Sequence, residues 1–327
     1  MQEAKYYQKL EDNRIECQLC PQKCIIAEGK VGFCRVRINL KGTLYTKIYQ
    51  QISSCALDPI EKKPLYHFYP GSEILSLGTL GCNFKCPFCQ NWEISQSEVP
   101  TRSSTSLEII EYARQCNSIG IAYTYNEPFI WYEYVYETAQ LAHQHKLVNV
   151  LVTNGFVNEE PLREILPLID AMNIDLKSIS NDFYRNYCRG ELEPVLRTIK
   201  ISSGFCHVEL TNLIIPTLND SLDNIQKLVD WVADLNPEMP LHFSRYFPHY
   251  KMTIPPTPVE TLVQAWVLAR KKLKFVYLGN ILDPKTSTTY CPVCNKPLIS
   301  RQGYSIDFNY VEGGKCKYCG EKIAGVF

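Results

Sequence analysis

Ile74-Leu75-Ser76-Leu77-Gly78-Thr79-Leu80-Gly81-Cys82-Asn83-Phe84-Lys85-Cys86-Pro87-Phe88-Cys89-Gln90-Asn91 is a short apolar run that ends in three cysteines spaced Cys-x3-Cys-x2-Cys. Seven residues are too few for an amphipathic helix, so residues 74–80 read as a buried strand. Gly81 then breaks the strand and opens a loop. Thiolates are soft ligands and short loops close cheaply, so cysteines this close converge on one metal centre. Three thiolates cannot complete the ligation of a 4Fe–4S cluster, and one iron stays open. A structural zinc borrowing a distant fourth ligand is the alternative.

The same rhythm repeats downstream. Apolar runs at residues 119–124, 148–153, 169–174, 208–214 and 241–246 read as further strands. Helical stretches lie between them, at residues 106–116, 128–145, 159–166, 182–188 with 194–202, 222–235 and 259–272. Residues 274–278 are a candidate seventh strand. Alternation at this spacing predicts an α/β fold with a parallel sheet and right-handed crossovers, a partial (β/α)6 barrel. Sites in such barrels gather at the C-terminal strand ends. Polar residues do follow the runs: Gly81-Cys82, then residues 124–127, Thr153-Asn154, and residues 175–177. The expected division is a cysteine-rich segment (residues 1–70), the barrel (71–283) and a small cysteine-bearing appendage (284–327).

Composition narrows the function. Lys+Arg and Asp+Glu number 34 each, so the net charge is zero. That balance gives no footprint for nucleic acid or an anionic membrane, and neither is an expected partner. No apolar run approaches a membrane span, and the polar start MQEAKYYQKLEDNR lacks a secretory pattern; a cytoplasmic location is expected. Fifteen cysteines in such a chain point to metal rather than disulfides. Cys291, Cys294, Cys316 and Cys319 form two Cys-x2-Cys knuckles, the layout of a zinc ribbon or rubredoxin. Zinc is the expected ion there, and iron the alternative. Cys17, Cys20, Cys24 and Cys34 form a second metal set, for which zinc is favoured and an auxiliary Fe–S cluster is the alternative. Cys55, Cys116, Cys188 and Cys206 read as small hydrophobes. Phe129, Trp131, Tyr132 and Tyr136 read as helix core.

The cysteine triplet, with an aromatic residue before its last cysteine, resembles the radical S-adenosylmethionine (SAM) superfamily. The resemblance extends over nearly the whole length through CQLCPQKCIIAEGKVGFCRVR, DPIEKKPLYHFYPG, GCNFKCPFCQNWEISQ, YTYNEP, LVTNGF, NIDLKS, CPVCNKPLISRQGYSI and GKCKYCGEKIAGV. Together these look like the radical SAM proteins of the AmmeMemoRadiSam system, relatives of pyruvate formate-lyase activating enzyme. The resemblance implies that Cys82, Cys86 and Cys89 hold the 4Fe–4S cluster and that SAM binds its open iron. Thr124, Asn126 and Glu127 fall in the place of a Gly-Gly-Glu-Pro segment that contacts the SAM amino group, with Tyr125 and Asn126 where glycines are usual. Thr153 and Asn154, with Asp175 and Lys177, resemble segments that contact the ribose and the methionine carboxylate. His242 falls where these enzymes place a histidine near SAM; a satisfied core histidine is the other reading. The resemblance further implies flavodoxin or ferredoxin as electron donor, and Memo-type and AMMECR-type proteins acting alongside. The substrate stays open: a glycyl-radical enzyme to be activated, a peptide, or a small molecule. A metal-binding scaffold without catalysis is the remaining reading.

Overall fold

The computed structural model describes residues 1–327, and its centre is one eight-stranded sheet in sequential order. Its strands are β1 (Ser54–Pro59), β2 (Glu73–Gly78), β3 (Gly120–Tyr123), β4 (Val148–Thr153), β5 (Ala171–Asp175), β6 (His207–Ile214), β7 (Leu241–Arg245) and β8 (Val276–Gly279). Strands β2 to β8 are parallel, and β1 pairs antiparallel with β2 at the edge. The barrel is therefore partial and holds seven parallel strands, one more than the six of the sequence reading; residues 274–278 supply the seventh. Strands β1 and β8 are the two ends of the sheet, so it does not close on itself.

Six helices cross over between successive parallel strands: α1 (Ser106–Gln115), α2 (Tyr132–Gln144), α3 (Glu159–Ile165), α4 (Leu192–Ser202), α5 (Leu222–Leu235) and α6 (Val259–Ala269). Their ends are written in the sequence. Thr105 and Glu108 form a reciprocal capping box that starts α1. Ser221 caps α5, whose Ile225, Leu228, Val229 and Val232 repeat at helical spacing and face the core. Phe129, Trp131 and Tyr132 are buried as expected, but residues 128–131 form a 3-10 turn before α2 begins.

Two regions depart from the sequence reading. Residues 182–188 are not a plain helix: Asn181–Phe183 is one short turn, and Tyr184–Cys188 widens into a π-helical turn ended by Arg189 at φ 60. Such widening recurs at functional sites. Residues 1–70, expected only as a cysteine-rich segment, carry two small antiparallel sheets and strand β1. This segment is pinned to the barrel by the buried Arg37–Glu133 ion pair at 2.6 Å, and Arg37 also donates to the Lys5 carbonyl at 2.8 Å.

The last residues, 284–327, also pack against the barrel rather than hanging from it. Tyr66, Phe275 and Tyr277 share one apolar cluster with Cys291, Leu298, Ile299 and Ile323. Arg301, fully buried, donates to the Tyr66 carbonyl at 2.7 Å, lies 4.1 Å over the Tyr66 ring and meets Glu61 at 3.5 Å. Gly325, at φ 145, lies so close to His67 that a Cβ would sit 2.5 Å from the His67 carbonyl oxygen. The module thus touches both the segment after β1 and strand β8, the two ends of the open sheet.

Candidate active site at the strand ends

The C-terminal ends of β2 to β5 converge on one cavity of ≈ 540 Å³. Cys82, Cys86 and Cys89 line it, together with Thr124, Asn126, Glu127, Thr153, Asn154, Asp175 and Lys177. Seven of the eight expected cofactor contacts therefore meet the three cysteines in one place. The eighth, His242, does not. It lines the neighbouring cleft, and its Nε2 bonds to Glu209 at 2.6 Å. The reason is depth: Ser244, two residues further along β7, lines the triplet cavity, whereas His242 is buried earlier on the strand and held by Glu209.

The cysteine loop leaves β2 through Gly81, at φ 85, because a side chain there would meet the Cys34 carbonyl oxygen at 2.6 Å. Asn126 braces the loop from β3: its Oδ1 accepts the Thr79 N–H at 3.1 Å and its Nδ2 donates to the Gly81 carbonyl at 2.8 Å. Tyr125 takes a left-handed backbone, φ 71, where a glycine is usual. Its hydroxyl donates to Asp58 at 2.5 Å, which offsets a strain of about 1–2 kcal/mol. Asp58 in turn pairs with Lys62 at 2.7 Å and the buried Lys63 at 2.6 Å; against burial, Lys62, Lys63 and the Tyr125 hydroxyl hold its carboxyl well below the usual range.

Glu127 is buried and already occupied. Its Oε1 accepts from Phe129 N at 2.9 Å and Thr153 Oγ1 at 2.8 Å, and its Oε2 accepts from Asn154 N at 2.9 Å. Burial pushes its pKa up to about 7. Glu127 and Asn126 are thus braces of the cavity wall, tying β3 to β4 and to the cysteine loop. Asn154 reaches the triplet itself, with Nδ2 bonded to Asn83 Oδ1 at 2.9 Å and 3.7 Å from Cys82 Sγ. Asp175 and Lys177 pair with each other at 2.8 Å. Burial opposes the Lys177 charge, but the Asp175 carboxylate outweighs it and holds the ammonium well above its usual pKa.

The three thiols fit a 4Fe–4S cluster. They are the only cysteines lining the cavity, so three ligands stand beside an open space edged with polar groups. Burial raises the Cys82 and Cys89 pKa, and Cys188 together with burial raises that of Cys86. Thiolates in this place therefore need a cation to form. Cys188, read as a small hydrophobe, is fully buried beside Cys86, brought there by the π-helical turn. Sequence spacing gave no signal for that.

The second cavity, ≈ 1070 Å³, adjoins the first and shares Lys62, Pro64, Thr211, Ser244, Asn280 and Tyr304 with it. Sequence reading missed this cleft because Arg301 and Tyr304 reach its wall from the C-terminal module. In that module the Cys291, Cys294, Cys316 and Cys319 sulfurs lie within 4.8 Å of one another, with closest pairs at 3.6 and 3.7 Å. A tetrahedral ion with bonds of about 2.3 Å requires sulfurs about 3.8 Å apart, so this set can close on one metal.

Comparison with known proteins agrees with this geometry. The Radical SAM superfamily profile matches residues 77–232. An uncharacterized protein of Methanocaldococcus jannaschii is 48% identical over 99% of both chains. The pyruvate formate-lyase-activating enzyme of Clostridium pasteurianum is 23% identical over 47% of this chain and 67% of its own. Among solved structures, a radical SAM methyltransferase from Sphaerobacter thermophilus superposes with TM-score 0.50 at 17% identity, covering 64% of this chain and 67% of that one. Streptococcus suis SuiB bound to S-adenosylmethionine gives TM-score 0.52 at 12% identity, covering 68% and 53%. With a partial parallel barrel, a cysteine triplet at the end of its first parallel strand and a full-length relative at this identity, the chain belongs to the radical SAM superfamily and is an enzyme that generates a 5′-deoxyadenosyl radical.

Proposed function

We propose that this enzyme abstracts hydrogen from a peptide segment or small molecule held in the 1070 Å³ cleft, acting as the radical SAM member of an AmmeMemoRadiSam-type system. The supporting observation is the shared wall: six residues border both the cleft and the cavity of the cysteine triplet. A site of this volume is at the upper end for small-molecule pockets. When bound, the cluster and SAM supply the one-electron cleavage that makes the radical. The protein's own residues do the rest: Asp175 and Lys177 present opposite charges to SAM, and Thr153 and Asn154 present hydrogen-bonding groups. Asn126 and Glu127 hold those groups in place. The electron donor in this reading is a flavodoxin or ferredoxin, with Memo-type and AMMECR-type proteins as companions. The C-terminal quartet in this reading holds zinc, which has no redox chemistry and serves the wall it builds.

Activation of a glycyl-radical enzyme is the second reading, favoured by similarity to the Clostridium pasteurianum activating enzyme. Deuterated candidate substrates distinguish the two. Transfer of deuterium into 5′-deoxyadenosine from a small molecule or peptide supports the cleft reading. A glycyl-radical spectrum on a co-incubated partner protein, with no transfer from the others, overturns it.

A further inference from the structure

The chain between β5 and α4 bends through the short turn Asn181–Phe183 and the π-helical turn Tyr184–Cys188. Such π turns are rare, and many of them sit at functional sites. This one reaches two parts of the active site. The Tyr184 hydroxyl accepts the Lys177 N–H at 3.0 Å, and the Cys188 carbonyl accepts the N–H of Lys85, inside the cysteine loop, at 2.9 Å. We infer that Tyr184 is a positioning residue for SAM: its hydroxyl holds Lys177 in register with the loop that carries Cys82, Cys86 and Cys89.

The turn and the cysteine loop pack as one body. The Tyr184 ring meets Phe84 edge-on, with centroids 6.0 Å apart at 66°. Gly190 lies against the same ring, where a Cβ would stand 2.3 Å from a Phe84 carbon. Gln22 ties the two backbones together, its Nε2 donating to the Asn83 carbonyl at 3.0 Å and to the Arg189 carbonyl at 2.7 Å. Gln22 comes from the N-terminal segment, where Cys17, Cys20, Cys24 and Cys34 gather around one small void. Close packing of this kind leaves the turn little room to move without the loop.

Lys177 is held through both polar groups of its backbone. Its carbonyl accepts Asn219 Nδ2 at 2.7 Å, and the preceding Leu176 carbonyl accepts Asn212 Nδ2 at 2.7 Å. Asn212 lies on β6 and Asn219 in the loop after it, so both tie this segment to the sheet. Of the three contacts, Tyr184 is the one attached to the cysteine loop. A buried tyrosine hydroxyl usually finds some partner. Here the partner is the backbone of a cavity residue, and the same turn grips the loop that bears the cluster ligands; core packing alone asks for neither. Tyr184 is fully buried and lies behind the cavity wall, so it acts through Lys177 and not on SAM directly. That Lys177 meets SAM belongs to the function proposed above, and the role of Tyr184 rests on it.

The test is equilibrium SAM binding to the anaerobically reconstituted protein, with iron content measured on every sample. Tyr184→Phe is expected to keep the iron of the wild type and to raise the SAM dissociation constant about three- to tenfold, the weight of one hydrogen bond. In SAM cleavage the change is expected in KM more than in kcat. Lys177→Ala weakens SAM by itself, and the Tyr184→Phe, Lys177→Ala double variant is expected to bind SAM no worse than Lys177→Ala, because the hydroxyl then has no ammonium to position. A hydroxyl that serves the fold alone would lower stability and leave SAM affinity unchanged. Wild-type affinity in Tyr184→Phe beside weakened Lys177→Ala therefore overturns the role of Tyr184 and leaves the function standing. Additive losses in the double variant overturn it as well. Unchanged affinity in Lys177→Ala overturns both the role and the SAM contact. Should Tyr184→Phe fail to take up iron, amide hydrogen exchange of the unmodified protein decides: SAM is expected to slow exchange at Lys177 and across residues 184–188 together, and slowing at Lys177 alone overturns the role.

Discussion

Glu127 Oε2 accepts the Asn154 N–H at 2.9 Å, which fixes the end of β4 against the end of β3. Glu127→Ala would strand that N–H, the Phe129 N–H and the Thr153 hydroxyl in a buried place. A stability loss of about 2–4 kcal/mol is expected, with weaker SAM binding as Asn154 shifts. Glu127→Gln, which keeps one acceptor oxygen, is expected to lose about half as much. Anaerobic denaturant titration with SAM binding checks both; equal stability of all three proteins would mean that Glu127 is not a brace.

Arg301 joins the C-terminal module to the barrel through Glu61 and Tyr66. Burial already raises the Glu61 pKa. Arg301→Met would leave that carboxylate without its cation, at an expected cost of about 3–5 kcal/mol. The Glu61→Gln, Arg301→Met double variant is expected to recover much of it. A loss below about 1 kcal/mol in the single variant would show that the pair does not hold the module in place.

His67 sets an acid limit on stability. Its Nδ1 lies 2.6 Å from the Ala324 carbonyl, which only accepts, so Nδ1 carries the proton and Nε2 accepts from Tyr277 at 2.5 Å. Burial lowers its pKa to about 4. A histidine with a depressed folded pKa is fully stabilising above its unfolded value of about 6.5 and loses that contribution as pH falls. The loss from this residue is expected to reach about 3 kcal/mol at pH 4. Glu209, held well below its usual pKa by His207 and His242 against burial, acts in a lower window, below about pH 4.5. His67→Gln is expected to flatten the unfolding curve between pH 6.5 and 4 while the steeper fall below remains. An unchanged slope in that variant would assign the effect elsewhere.

Most of the barrel was legible because its strands are apolar runs bounded by turn residues, and the chemistry sits where those runs end. The strand-end rule pointed to the cysteine loop, Thr153, Asn154, Asp175 and Lys177, and the resemblance to the radical SAM superfamily supplied their expected roles. What stayed hidden depends on distance in sequence. Arg301 and Tyr304 enter the cleft wall from the far end of the chain, and strand β1, Ser54–Pro59, is neither an apolar run nor an alternating one. Cys188 reaches Cys86 only through a widened helical turn that no spacing rule marks. For His242 the sequence leaves two readings open, and its burial and its bond to Glu209 fit the satisfied core histidine; a strand's sequence does not say how deep a side chain lies.

Lys177 and Asp175 face the triplet cavity as an ion pair. Asp175 is about one-third exposed, so Lys177→Ala is expected to cost little stability. Its SAM affinity is expected to fall by about 1–3 kcal/mol, the range for a contact to a charged group. Equal SAM affinity in wild type and variant would reduce the pair to a wall element.

The central claim is that Cys82, Cys86 and Cys89 hold the cluster that cleaves SAM. Its most direct test is 5′-deoxyadenosine formation by the anaerobically reconstituted, reduced protein, compared with the three Cys→Ala variants. The expected result is 5′-deoxyadenosine and methionine from the wild type and none from any variant, each variant keeping its far-ultraviolet circular dichroism. Cleavage of SAM by a protein lacking all three cysteines would contradict the account.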